Sequence, residues 1–175
     1  MTGAREGLAQ SVHARVGAAR LTVQVDIGIG DAVTPAPEWL EYPSLLDLPR
    51  PRLRAYPRET VLAEKLHAMV YFGAHTSRMK DYFDVHALLR EEEMDTDRLA
   101  RAIAATFRRR RTDLPEGVPA ALGDEFAADA AKQAQWRAFL RKNRIDAPTL
   151  DVVVAEIRAR LAAPLAQARE REAGA

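Results

Sequence analysis

PRETVLAEKLHAMVYFGAHTSRMKDYFDVHALL, residues 57–89, is the stretch from which the rest of the chain can be placed. Its apolar spacing predicts two helices joined by a short turn. Pro57 pre-sets the φ of a first helical position, and Gly73 stands where a helix ends in a residue free of a Cβ. Thr76 or Ser77 can then cap the second helix. At 100° per residue, Leu62, Leu66, Met69, Val70 and Gly73 share one face of the first helix. Lys65 falls at the edge of that stripe, so its stem can be buried while its ammonium reaches into a cleft. On the second helix Met79, Tyr82, Phe83, His86 and Leu89 form a broad, mostly apolar face. Asp81 and Asp84 lie on the other side, with Arg78 and Lys80 in reach at i,i+3 and i,i+4.

Upstream, Ser11–Val16 and Ala19–Gly28 flank Gly17, whose freedom at positive φ suits a hairpin turn. Leu21, Val23, Val25 and Ile27 alternate with Thr22, Gln24 and Asp26, which predicts a strand with one face in a core. Asp26 looks out from the other face, just before Gly28 and Gly30. It is either a solvated sheet carboxylate or a place where a metal or phosphate approaches. Residues 1–10 carry no pattern and are expected to be frayed. Prolines at 35, 37, 43, 49 and 51 exclude long regular elements, leaving short extended pieces near Trp39–Tyr42 and Arg52–Tyr56 as edge strands or straps across the sheet.

Downstream, Asp95 or Thr96 caps a third helix with the stripe Leu99, Ile103, Phe107. It ends in Arg108–Arg111, which either complement the helix dipole or form a phosphate-contacting patch. Residues 113–123 read as a connecting loop. Asp129 can cap a helix carrying Trp136, Phe139 and Leu140, ringed by Arg137, Arg141, Lys142 and Arg144. Thr149 can cap a last helix with Val153, Ile157 and Leu161 buried. Pro164 is expected to kink or end it, leaving a loose tail.

The chain has 175 residues, 47% of them hydrophobic, enough for one domain or one and a half with a real core. Its 26 Lys and Arg against 25 Asp and Glu leave a net charge of +1, so any nucleic-acid contact must come from a local patch. It has no cysteine, which excludes disulfides and thiolate metal sites. With no long apolar run and no leader-like start, the expectation is a soluble, cytoplasmic protein with no membrane association. His67, His75 and His86 are not at ligand spacing on a shared face. Gly28 and Gly30 lack the third glycine of a dinucleotide fingerprint.

Glu64-Lys65 within ETVLAEKLHAM, followed by R-x-K-D-x-x-D in SRMKDYFDVHALL, resembles the AbiEii/AbiGii toxin family, nucleotidyltransferase-like proteins of bacterial toxin–antitoxin and phage-defence systems. The resemblance runs upstream through VQVDIGIGDAVTP and downstream through DEFAADAAKQAQWRAFLRK. It implies an α+β fold: residues 1–56 as a remnant of a polymerase-β-like nucleotidyltransferase sheet, and residues 57–175 as a mainly α-helical domain bearing the motifs. It also implies that Asp26 is the third acidic residue of a magnesium site, that Lys65 contacts the triphosphate, and that Asp81 takes part in activity. Arg78 and Lys80 are then ligands for phosphate or an RNA backbone, and Asp84 holds Lys80 in place. A helix-surface ion-pair cluster is the competing account of Asp81 and Asp84. The family's Gly-Ser and Asp-x-Asp have no counterpart in these residues. The expectation is therefore an N-terminally truncated nucleotidyltransferase-like toxin, incomplete for catalysis. Its implied partners are a nucleoside triphosphate, an acceptor such as tRNA, and a cognate AbiEi-type antitoxin. The alternative is a non-catalytic helical module that binds an antitoxin or RNA.

Overall fold

The computed structural model describes residues 7–44, 47–91 and 94–174. The chain divides into two compact units, Met1–Asp31 and Ala32–Ala175. Residues 32–56 therefore pack in the same unit as the helices; the partition at 56/57 follows the motifs, not this division. Among the described residues there are two small antiparallel sheets and six α-helices, an α+β composition. No described helix is long and apolar enough to cross a membrane.

The first unit is a hairpin of β1 (Gly7–Val16) and β2 (Ala19–Gly28). Gly17 takes φ 59° at the first of two loop residues, a conformation a Cβ would strain. Strand pairing begins at Gly7, so residues 7–10 are ordered in β1; the expectation of fraying at residues 1–6 lies outside the described residues. The register sets Leu8 opposite Ile27, Val12 opposite Val23 and Ala14 opposite Leu21, which makes one face apolar except for Gln10 opposite Val25. Ser11, His13 and Arg15 pair with Gln24, Thr22 and Arg20 on the polar face. The expected burial of the apolar face is not found: every residue of β2 is exposed. The alternation was read correctly, but a two-stranded ribbon has no second layer of its own to cover that face.

In the second unit, β3 (Glu38–Glu41) and β4 (Arg52–Ala55) pair with each other as a separate antiparallel ribbon. The Arg52 guanidinium sits 5.5 Å over the Trp39 ring. The preceding loop is tied to the first helix by Thr60. Its Oγ1 accepts from Thr34 N (3.0 Å) and donates to Thr34 O (2.8 Å), which satisfies a wholly buried hydroxyl.

Helix α1 (Arg58–Phe72) follows Pro57 and ends at Gly73, whose φ of 53° closes it as expected. A 3₁₀ turn, Gly73–His75, leads to α2 (Met79–Glu91). Leu62, Leu66 and Met69 of α1 are buried, as are Met79, Tyr82, Val85 and Leu89 of α2. Helix α3 (Thr96–Arg110) is capped by Asp95, whose carboxylate accepts from Asp97 N and Arg98 N. It buries Leu99, Ile103 and Phe107 and packs on α1. Residues 113–123 are not all loop. A 3₁₀ turn at Ala120–Leu122 and a short α4 (Asp124–Ala128) bury Leu122 and Phe126, although too few residues are involved to show a period.

Asp129 caps α5 (Ala130–Asn143), with Lys132 N 2.8 Å from its Oδ1. Helix α6 (Leu150–Ala173) packs against α2, α3, α4 and α5. Pro164 lies inside it and does not end it, and the residues beyond are helical, not loose. An interior proline costs about 3 kcal/mol. Beyond the proline, burying Leu165, at roughly 1.5–3 kcal/mol, and Ala168 helps offset that cost. Arg169 then donates to the Pro115 and Glu116 carbonyls, and Arg171 and Glu172 pair with Asp97 and Arg108.

Candidate functional site

The site lies where α1 and α2 meet. Lys65 projects from α1 across to the first turns of α2, where its Nζ is 2.9 Å from Asp81 Oδ1 and 2.7 Å from Asp84 Oδ2. Arg78 Nε donates to Asp81 Oδ2, and Lys80 Nζ donates to Asp84 Oδ2 at 2.6 Å. The expected i,i+3 and i,i+4 pairs therefore form. The cross-helix bridge from Lys65 binds them into one network of three cations and two carboxylates.

Burial grades the network from base to rim. The Asp81 side chain is 6% exposed and Lys65 20%, whereas Arg78 and Lys80 are 57% and 72% exposed. Burial alone would raise the Asp81 pKa. The hydrogen bonds from Arg78 and Lys65, with their charges, outweigh it and hold the carboxyl below its usual range. Burial likewise favours neutral Lys65, but the bonds to Asp84 and Asp81 and their charges keep the ammonium above its usual range. Both groups are ionised at neutral pH.

The second helix is held in register by its neighbours. Tyr82, wholly buried, donates to Ala121 O at 2.9 Å and stacks on Phe126. Burial, then the Asp81 charge, pushes its phenol upward. Thr76 Oγ1 accepts from Arg78 N, and Lys132 Nζ donates to Thr76 O. On α1, Glu64 takes Arg110 of α3 at 2.5 Å, and buried Glu59 takes Arg98 at 3.0 Å. Arg108 reaches Glu172, so at least two of the four arginines at the end of α3 are held in ion pairs. Nothing in the spacing marked these long-range pairs. Only Glu64 had a signal, as the neighbour of Lys65 in the motif.

His86 Nε2 lies 2.7 Å from Glu156 Oε2, and His67 Nε2 lies 3.0 Å from Thr112 Oγ1; each histidine is packed with a partner. Asp26 belongs to the hairpin unit, where it is exposed, faces Ala9 across the ladder and accepts from Gln24 Nε2 at 3.0 Å. The two carboxylates of the α1–α2 cluster suit magnesium, the cation the resemblance implies, poorly. Among the described residues no three His, Cys, Asp or Glu are grouped to hold a metal, and Asp81 and Asp84 already face three cations. What the cluster offers is a net charge of +1, with two largely exposed cations and a third held behind them. That suits an anion, and phosphate in particular.

The sequence matches the family model described as "Nucleotidyl transferase AbiEii toxin, Type IV TA system" over residues 4–163. No curated protein and no solved structure matches it. The matched span takes in the hairpin, the α1–α2 motifs and most of α6. The chain belongs to the AbiEii nucleotidyl transferase toxin family of type IV toxin–antitoxin systems.

Proposed function

We propose that the α1–α2 cluster is the triphosphate-binding half of a nucleotidyltransferase toxin that acts on an RNA acceptor such as tRNA. The observation that carries this reading is the convergence of Lys65, Arg78 and Lys80 on one pair of carboxylates, with two of the cations open to solvent. In nucleotidyl transfer an acceptor hydroxyl attacks the α-phosphorus and pyrophosphate leaves with the charge. Arg78 and Lys80 meet the phosphates first, and Lys65 faces the charge that develops on the leaving group. Asp81, held ionised below the usual range, is a weak base. It serves as a positioning residue that aims Lys65 and Arg78. Asp84 does the same for Lys65 and Lys80. The polymerase-β-like sheet belongs to this proposal, with Asp26 as the one carboxylate this chain supplies toward magnesium. An antitoxin counterpart follows from family membership.

A second reading, a binding module without chemistry, is favoured by one observation. Both carboxylates are satisfied by the chain's own cations before any ligand arrives. One assay separates the two. The 175-residue chain, given labelled nucleoside triphosphates, magnesium and total tRNA, is expected to bind triphosphate weakly and transfer none. The double variant Arg78→Gln/Lys80→Gln should weaken that binding about tenfold or more, because two charge-assisted contacts are lost. Unchanged triphosphate affinity in the variant would rule out the cluster as the binding site. Robust transfer by the chain itself would overturn the expectation that it binds triphosphate without turnover.

A further inference from the structure

Positive charge is spread unevenly along the chain. Residues 130–145, which contain α5, hold Lys132, Arg137, Arg141, Lys142 and Arg144 and no acid. The whole chain sums to +1, so the remainder carries −4. Elsewhere in the helical unit arginines reach carboxylates, as Arg78, Arg98, Arg108, Arg110 and Arg158 do. On α5, Arg137, Arg141, Lys142 and Arg144 are exposed, and their side chains make no ion pair or hydrogen bond with the described residues.

Helical geometry arranges these groups. Arg137, Arg141 and Arg144 stand at i, i+4 and i+7, within about 60° of one another around the axis. Arg144 occupies the left-handed C-cap at φ 54°, just past the last turn. The adjoining side of α5 is already occupied. Trp136 is buried with its Nε1 on Pro148 O at 2.9 Å, and Phe139 and Leu140 pack against the core. Cations near a helix C-terminus also favour the dipole, which accounts for Arg141 and Lys142. It does not account for Arg137 in the helix middle, or for a solvent face free of acids.

The kind of partner follows from what this face lacks. A protein partner needs apolar anchors at the centre of its interface, and a membrane surface needs apolar side chains to insert. The exposed residues of α5 include no large hydrophobic group, only cations, amides and the alanines Ala130, Ala131, Ala134 and Ala138. A polyanion needs neither, because its binding is driven by counterion release and by forked guanidinium–phosphate contacts. We propose that this face of α5 docks the phosphodiester backbone of an RNA. The inference rests on the reading that the acceptor is RNA.

The experiment measures binding of fluorescein-labelled tRNA to the full chain by anisotropy across a salt series. It is repeated with Arg137→Gln/Arg141→Gln/Lys142→Gln/Arg144→Asn, where asparagine suits the left-handed cap. The quadruple variant is expected to keep the wild-type melting temperature and triphosphate affinity. Its RNA affinity should fall tenfold or more at about 50 mM salt, and its salt slope should shrink by about 3 to 4. A variant that binds RNA with unchanged affinity and slope overturns the proposal. So does polyglutamate or an anionic phosphatidylglycerol vesicle bound by the wild type as tightly as RNA. If the wild type binds triphosphate but no RNA, this inference falls while the nucleotide site stands. If it binds RNA through α5 but no triphosphate, the docking face stands and the nucleotide site falls.

Discussion

Replacing Lys65 by methionine keeps the stem and its packing and removes only the ammonium. Read from the sequence, that change should spare stability, since Lys65 lies at the edge of its stripe. The structure argues otherwise, because the ammonium bridges Asp81 and Asp84. Breaking a fully buried pair costs about 3–5 kcal/mol, and an exposed pair about 0–1 kcal/mol. Here Lys65 and Asp84 each keep 20% exposure, Asp81 keeps 6%, and each carboxylate retains one other cation. The expected loss lies between those limits, about 2 kcal/mol, or roughly 6 °C in Tm at about 3 °C per kcal/mol for a unit of this size. Urea and thermal melts of wild type, Lys65→Met, Asp81→Asn and the double variant give both the loss and the coupling.

The pH dependence supplies the sign. Asp81 is depressed below its ordinary 3.8, so its contribution is present above that value and is lost as pH falls through the folded pKa. Lys65 is raised above 10.5, so its contribution is present below that value and is lost as pH rises through the folded pKa. Wild type and Lys65→Met should therefore differ steadily from about pH 5 to 9 and converge at both extremes. A loss below about 0.5 kcal/mol at neutral pH would refute the bridging role.

The hairpin's apolar face should make the chain self-associate, and Val12→Thr with Val23→Lys should raise the monomer fraction in sedimentation without moving the helical melting transition. Tyr82→Phe removes a buried donor from Ala121 O and should cost about 1–2 kcal/mol in urea denaturation; no loss would mean that the hydroxyl does not fix α2.

Much of the helical unit was legible because one period generates each buried face. Leu62, Leu66 and Met69, then Leu99, Ile103 and Phe107, needed nothing but spacing. Glycine and capping chemistry gave Gly17, Gly73, Asp95 and Asp129 in the same local way. The site was half legible. The pairs Arg78–Asp81 and Lys80–Asp84 follow from helix spacing, but Lys65 joins them across 16 and 19 residues, and no local rule fixes which stem meets which carboxylate. The same holds for Glu59–Arg98, Glu64–Arg110 and His86–Glu156. Helix α4 escaped notice for another reason: it is five residues long, too short to complete a recognisable pattern.

Helix α6 has a consequence for the birth of the molecule. It lies after every element it packs against, so on the ribosome α2, α3, α4 and α5 are made before the surface that covers them. At about 5–20 residues per second, the stretch from Arg110 to Ala173 takes roughly 3 to 13 s to synthesise. Over that interval the α6-facing side of α3 has no lid, which makes the nascent chain a client for holding chaperones. Final compaction of the toxin's helical unit waits for its last helix, and a stall within α6 would release an unfinished core.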